Sequence, residues 1–206
     1  MSETILVTGA SAGFGQAICR RLVADGYRVI GSARRIDKLQ ALQEELGEAF
    51  YPLQMDVTDL SQVDHALASL PKAWEKVDVL VNNAGLALGL APAYEAEVAD
   101  WLTMIQTNIV GLTYLTRKIL PQMVERNDGY IINLGSTAGT VPYPGANVYG
   151  ASKAFVKQFS LNLRADLAGK KIRVSNIEPG LCEGTEFSSV RFKGDEKRSR
   201  RPSGLR

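Results

Sequence analysis

Two ionisable side chains, Tyr149 and Lys153, stand four residues apart in a helix-like stretch and so share one face. A lysine ammonium beside a phenol favours the phenolate and lowers its pKa from about 10, letting the phenol exchange a proton with an alcohol or carbonyl oxygen near neutral pH. Alone, a Tyr-x-x-x-Lys spacing is common by chance and more often describes a surface pair. Here it follows an apolar run ending Leu134-Gly135-Ser136-Thr137, and strand ends in parallel sheets are where ligand-binding groups converge.

A second cluster, Thr8-Gly9-Ala10-Ser11-Ala12-Gly13-Phe14-Gly15, opens the chain. Gly9 allows a tight turn, Gly13 lets backbone approach a diphosphate, and Gly15 lets a helix pack on a strand. Open N–H groups at the helix start then receive the negative charge. The spacing is GxxxGxG rather than GxGxxG. The next strand ends Ser32-Ala33-Arg34-Arg35, with no acid until Asp37. An acid there would accept hydrogen bonds from a ribose 2′-hydroxyl, whereas a 2′-phosphate calls for arginine. The arginines predict NADP rather than NAD, although a bare turn tolerates the same residues.

The elements that must position these groups alternate along the chain. Apolar or β-branched runs at 4–8, 27–32, 50–54, 77–81, 130–134 and 172–177 read as strands. Between them lie helical patterns at 15–24, 37–46 (Leu39, Leu42 and Leu46 on one face), a segment capped by Asp59 or Ser61, 95–124 and 147–167. Asn108 is an unusual polar residue inside the long 95–124 stretch. Continuously apolar strands separated by helices predict an α/β fold: a doubly wound, Rossmann-like parallel sheet in a three-layer α/β/α sandwich. Residues 86–94 form a small apolar loop that either lines a pocket or simply packs.

Composition sets outer bounds. The chain has 206 residues, 45% hydrophobic and 22% charged, which fits one globular domain. Two cysteines, Cys19 and Cys182, build no disulfide framework or zinc site, and the reading is a reducing, cytoplasmic compartment with no metal. The single histidine, His65, speaks against a Ser-His-Asp triad. No apolar run approaches the ~20 residues that span a bilayer, so no membrane partner is expected. Residues 191–206 carry a net +5 and the first 190 a net −3, so the body does not read as a nucleic-acid binder. We therefore expect a catalytic domain over 1–190 and a basic, disordered tail over 191–206.

Taken in order, these motifs resemble those of the short-chain dehydrogenase/reductase family over roughly residues 4–190. The markers are Thr8–Gly15, Asp56-Val57, Asn82-Asn83-Ala84-Gly85, Asn108, Ser136, Tyr149-x-x-x-Lys153 and Pro179-Gly180 followed by Thr185. The stretches 82–89, 131–139 and 178–194 are most similar to NADP-dependent 3-hydroxy acid (serine) dehydrogenases within it. The resemblance implies that Gly9, Ser11, Gly13, Phe14 and Gly15 surround cofactor phosphates and that Arg34 and Arg35 hold the 2′-phosphate. Asp56 and Val57 would flank adenine, and Asn83, Ala84 and Gly85 would lie by the cofactor ribose. Tyr149 would be the acid/base, with Ser136 on the substrate oxygen, Lys153 on the nicotinamide ribose and Asn108 holding a relay water. Pro179, Gly180, Leu181, Cys182, Thr185 and Phe187 would wall the nicotinamide.

A 3-hydroxy acid also needs a cation for its carboxylate; Arg191 is the candidate, against the reading of an exposed arginine. The expected substrate is a small hydroxy acid or carbonyl, and the resemblance implies a homo-oligomer, dimer or tetramer. The sequence departs from the family after about residue 194: no periodic apolar segment follows Phe192, so the usual C-terminal strand and helices are not expected. Other readings are a catalytically silent nucleotide-binding protein and a reductase of a different carbonyl.

Overall fold

In the computed structural model, which describes residues 2–180 and 190–192, all five residues of strand β1 (Thr4–Thr8) are buried. The cause is that both faces of the strand are covered. Leu6 packs into a cluster with Ile30, Leu80, Leu115, Ile119, Met123, Ile131 and Leu163. Its neighbours Ile5 and Val7 point the other way, into a cluster with Cys19, Val29, Leu39, Leu42, Phe50 and Val81.

The elements run β1, α1 (Gly13–Ala24), β2 (Arg28–Ala33), α2 (Ile36–Leu46), β3 (Phe50–Gln54), α3 (Leu60–Ala68), β4 (Val79–Asn82) and α4 (Val98–Ile105). There follow a π-helical stretch (Gln106–Gly111), α5 (Leu112–Arg126), β5 (Gly129–Leu134), α6 (Asn147–Asp166) and β6 (Ile172–Ile177). The six strands are all parallel in the order β3-β2-β1-β4-β5-β6. Helices α1 and α2 supply one face, and α3, α5 and α6 the other. This is the Rossmann-like three-layer arrangement that the alternation of strands and helices predicts. The chain reverses its winding direction between β1 and β4, so a crevice opens beyond the C-terminal ends of those two strands.

Element ends differ from the sequence reading where side-chain pattern is a poor guide. Helix α1 is entered at Gly13 rather than 15: Gly13, at φ +52°, makes the left-handed turn into the helix, which an apolar pattern does not mark. The expected single helix over 95–124 is α4, a π-helical turn and α5, beginning at Val98 and ending at Arg126.

A buried polar chain joins β4, β5, α5 and α6. Asn82 Nδ2 donates to Thr116 Oγ1 and to Asn133 Oδ1, both at 2.9 Å. Asn133 Nδ2 donates to Ser160 Oγ at 2.9 Å. All four residues are at most 3% exposed, so a lost partner cannot be replaced by bulk water. Asn133→Ala leaves an Asn82 N–H without an acceptor and opens a cavity. We expect unfolding stability to fall by about 3 kcal/mol, read from urea titration; a loss under ~0.5 kcal/mol would contradict this account.

Candidate active site

The turn after β1 is shaped by two glycines whose side-chain space is already taken. Gly9 has φ +68°, and a Cβ on it would lie 2.9 Å from Asn83 Nδ2; on Gly15 it would lie 2.2 Å from the Gly9 carbonyl. Asn83 Nδ2 donates to Thr8 O at 2.7 Å, and Thr8 Oγ1 accepts from the Asn83 and Ala84 N–H groups. The end of β4 is thus bolted to the glycine turn. Ala12, before α1, is extended, no side chain caps the helix, and its first turn holds no acid. That leaves a backbone cradle whose open N–H groups and helix dipole suit a diphosphate.

Arg34 and Arg35 are both exposed at the end of β2. Arg35 donates to Ser11 Oγ at 3.1 and 3.3 Å, so one predicted cationic residue sits directly on the glycine turn. Asp56, half-buried, closes a local turn: its Oδ1 accepts from Thr58 N at 2.9 Å and Thr58 Oγ1 at 2.8 Å. Val57 is buried beside Gly111.

At the other side of the crevice, α6 carries Tyr149 and Lys153 on its buried face, 8% and 7% exposed. Lys153 Nζ donates to Leu134 O at 2.8 Å and lies 5.9 Å from the Tyr149 ring centroid. Ser136, just past β5, hydrogen-bonds the Tyr149 phenol and accepts from the Ala138 N–H at 3.2 Å. Gly85 runs between the groups: a Cβ on it would meet Asn108 Oδ1 at 3.2 Å and Lys153 Nζ at 3.3 Å. Four predicted catalytic residues from three places in the chain therefore converge.

The electrostatics differ from the expectation. Burial raises the Tyr149 pKa above its ordinary 10.0; the Ser136 hydrogen bond opposes this, the nearby Tyr143 adds to it, and the Arg191 charge opposes it. Burial also brings Lys153 down to about 8. The lysine is aimed at a backbone carbonyl and has lost its own hydration, and the charge that acts on the phenol is that of Arg191, which burial outweighs.

Asn108 is held tightly. Its Oδ1 accepts from Leu86 N at 2.9 Å; its Nδ2 donates to Leu86 O at 2.9 Å and to Ser152 Oγ at 3.0 Å. Ser152 Oγ in turn donates to Tyr149 O at 2.7 Å. Both amide hydrogens are thus spoken for, and the geometry gives Asn108 a bracing role between loop 86–94 and α6.

That loop both packs and lines a pocket. Ala87 is fully buried, and a cavity of about 80 Å³ lies against Leu88, Gly89, Ala91, Asp100, Trp101 and Asn147. Asn147 Nδ2 donates to Ala91 O and its Oδ1 accepts from Trp101 Nε1, both at 3.1 Å.

Arg191, far along the sequence, reaches the same place. Its Nε donates to Gly89 O at 3.0 Å, its Nη2 donates to Tyr143 OH at 3.1 Å, and its carbonyl accepts from Gly89 N at 2.9 Å. The guanidinium carbon lies 5.5 Å from the Tyr143 ring centroid and 5.7 Å from that of Tyr149.

Pro179 and Gly180 follow β6, with Pro179 O accepting from Thr137 N at 3.1 Å, next to Ser136. Leu181, Cys182, Thr185 and Phe187 lie outside the described residues. Cys19 is fully buried, and burial pushes its thiol up to about 12, which fits a small core side chain. Among the described residues no group of three or more His, Cys, Asp or Glu could hold a metal, and no helix is long and apolar enough to cross a membrane.

Sequence reasoning missed Tyr143, Ser152 and the Trp101–Asn147 pair. Tyr143 did carry a signal: it stands between Pro142 and Pro144, which stiffen the backbone on either side of an aromatic hydroxyl.

Comparison with known proteins agrees with this geometry. The profile for short chain dehydrogenase matches residues 3–196. An NADP-dependent 3-hydroxy acid dehydrogenase, YdfG, from Salmonella typhi is 62% identical over 195 residues, covering 95% of this chain and 79% of that protein. A serine 3-dehydrogenase from Agrobacterium fabrum is 52% identical over 199 residues, 97% of this chain and 79% of the relative. Among solved structures, the closed form of a serine dehydrogenase complexed with NADP+ superposes with a TM-score of 0.94 at 59% identity, over 95% of this chain and 79% of that one.

Proposed function

The chain belongs to the short-chain dehydrogenase family, and from that premise we propose that it oxidises a small 3-hydroxy acid such as serine or 3-hydroxypropionate, or runs the reverse reduction, with NADP. The observation that carries the reading is the convergence of Tyr149, Ser136 and Lys153 beside the glycine cradle, with Arg191 against the Tyr149 ring.

The cradle fits a dinucleotide: no side chain caps α1, and the Gly9 and Gly15 positions admit only backbone. Gly9, Ser11, Gly13, Phe14 and Gly15 would hold the diphosphate, and Arg34 and Arg35 the 2′-phosphate. Asp56 and Val57 would lie by adenine, and Asn83, Ala84, Gly85, Tyr149 and Lys153 by the riboses and nicotinamide. Pro179 and Gly180 would wall the nicotinamide side. When bound, NADP supplies the hydride acceptor for oxidation or the donor for reduction.

The chain's own groups handle the proton and the charge. Tyr149 in its phenolate form takes the hydroxyl proton as the alcohol carbon becomes a carbonyl, and as the neutral phenol returns it in the opposite direction. Ser136 donates to the substrate oxygen, stabilising its oxyanion character, and the Lys153 charge adds to that field. Asn108 keeps Leu86 and α6 in register around the reacting centre. Arg191 receives the substrate carboxylate.

We place cofactor binding and catalysis in one domain over 1–190, to which Arg191 adds its guanidinium; residues 193–206 lie outside the described residues. The exposed apolar stripe Val98, Leu102 and Ile105 on α4 supports a homo-oligomer. A cysteine count of two, too few for a disulfide framework, supports a cytoplasmic setting.

The test is absorbance of the reduced cofactor on mixing the protein with L-serine or 3-hydroxypropionate and NADP+ or NAD+. Turnover preferring NADP+ is expected; none with either acid would overturn the reading. In an Arg34→Ala/Arg35→Ala double variant, two charge-assisted contacts are lost. The NADP+ over NAD+ preference in kcat/KM should fall about 100-fold; an unchanged preference would remove both arginines from cofactor choice.

A further inference from the structure

We propose that Tyr143 is a positioning residue for substrate specificity: its hydroxyl and the Gly89 carbonyl fix the Arg191 guanidinium beside Tyr149 as a preoriented receptor for the substrate carboxylate. The inference rests on the 3-hydroxy acid reading above and adds to it the residue that sets the cation's aim.

The geometry of the guanidinium carries the argument. An arginine presents five N–H donors in a planar fork. Gly89 O takes the Nε hydrogen at 3.0 Å and Tyr143 OH takes one Nη2 hydrogen at 3.1 Å. Among the described residues no other group accepts from this guanidinium, so both Nη1 hydrogens and one on Nη2 are left to meet a carboxylate. The rings of Tyr143 and Tyr149, 5.5 and 5.7 Å from the guanidinium carbon, hold the cation between two aromatic faces. The cation therefore stands within a small molecule's length of the phenol.

Each partner is itself immobilised. Gly89 is paired to Arg191 a second time through its N–H at 2.9 Å. Its loop is tied to α6 by Asn147 on Ala91 and to α4 by Leu88 N on Met104 Sδ at 3.4 Å. Tyr143 lies between Pro142 and Pro144, and a Tyr143 O···Ala146 N bond at 3.0 Å closes the turn leading into α6. Without the Tyr143 hydroxyl, Arg191 keeps its backbone anchors but its terminal nitrogens can rotate away, and part of the orienting contribution to binding is lost.

The experiment compares wild type, Tyr143→Phe, Arg191→Ala and the double variant with NADP+ at saturation, on 3-hydroxypropionate and on its methyl ester. For Tyr143→Phe we expect the KM for the acid to rise about tenfold, with kcat little changed. The ratio of kcat/KM for acid over ester should fall by the same factor. In the Arg191→Ala background, Tyr143→Phe should add no further loss of that ratio. A Tyr143→Phe variant that keeps the wild-type acid-to-ester ratio overturns the proposal, as does one that lowers kcat equally on both substrates. Wild type that turns over neither substrate overturns the functional reading and this role with it; wild type that turns over the ester as well as the acid overturns this role alone.

Discussion

Tyr149→Phe is expected to lower kcat/KM about 1000-fold while NADPH affinity stays within about threefold, because a positioned general acid/base contributes roughly 10²–10⁴ in rate. The substitution is clean in physical terms. The ring is 8% exposed and packs with Ala87 and Met104, against Leu86, Ala138 and Val148, and phenylalanine keeps those contacts. Only the hydroxyl goes, and with it the hydrogen bond to Ser136. Steady-state rates with 3-hydroxypropionate, paired with NADPH fluorescence titration, separate proton transfer from cofactor binding. A variant retaining a tenth of the activity would show that another group moves the proton.

Gly15→Ala is the second large effect, and its sign runs against local propensity. Alanine in place of glycine inside a helix ordinarily gains up to about 1 kcal/mol. At Gly15 the new Cβ would lie 2.2 Å from the Gly9 carbonyl oxygen and 2.6 Å from Asn83 Nδ2. The nearer atom is backbone, so α1 has to move off the turn. We expect a loss of about 3 kcal/mol in urea unfolding, the size typical of overpacking in a tight site, and NADPH affinity weakened ~100-fold as the cradle's N–H groups lose their aim. A stabilised variant with unchanged NADPH binding would mean that helix and strand do not need this contact.

Much of the fold was legible because parallel strands buried on both faces read as largely apolar runs, as at Thr4–Thr8 and Val79–Asn82. The site was legible for a different reason. Tyr149 and Lys153 are one helical turn apart, so their meeting needs no knowledge of the tertiary structure. What sequence could not supply depends on long-range geometry. Arg191 meets Gly89 across 102 residues, and the Asn82–Asn133 bond spans 51. The Tyr149 pKa went the wrong way because spacing reports the neighbouring charge but not the burial that costs the phenolate its hydration. The division of residues 98–126 into three helical pieces also has no compositional mark.

That division makes the segment intolerant of insertions and deletions. Each residue added to or removed from a helix rotates everything beyond it by about 100°. Upstream of the wide turn, Trp101 and Met104 face Asn147 and Leu88; downstream, Leu115, Ile119 and Met123 face the sheet. The Gln106–Gly111 stretch absorbs the phase difference between those two faces and carries Asn108 at its midpoint. Evolution can change the letters of this stretch more readily than its length.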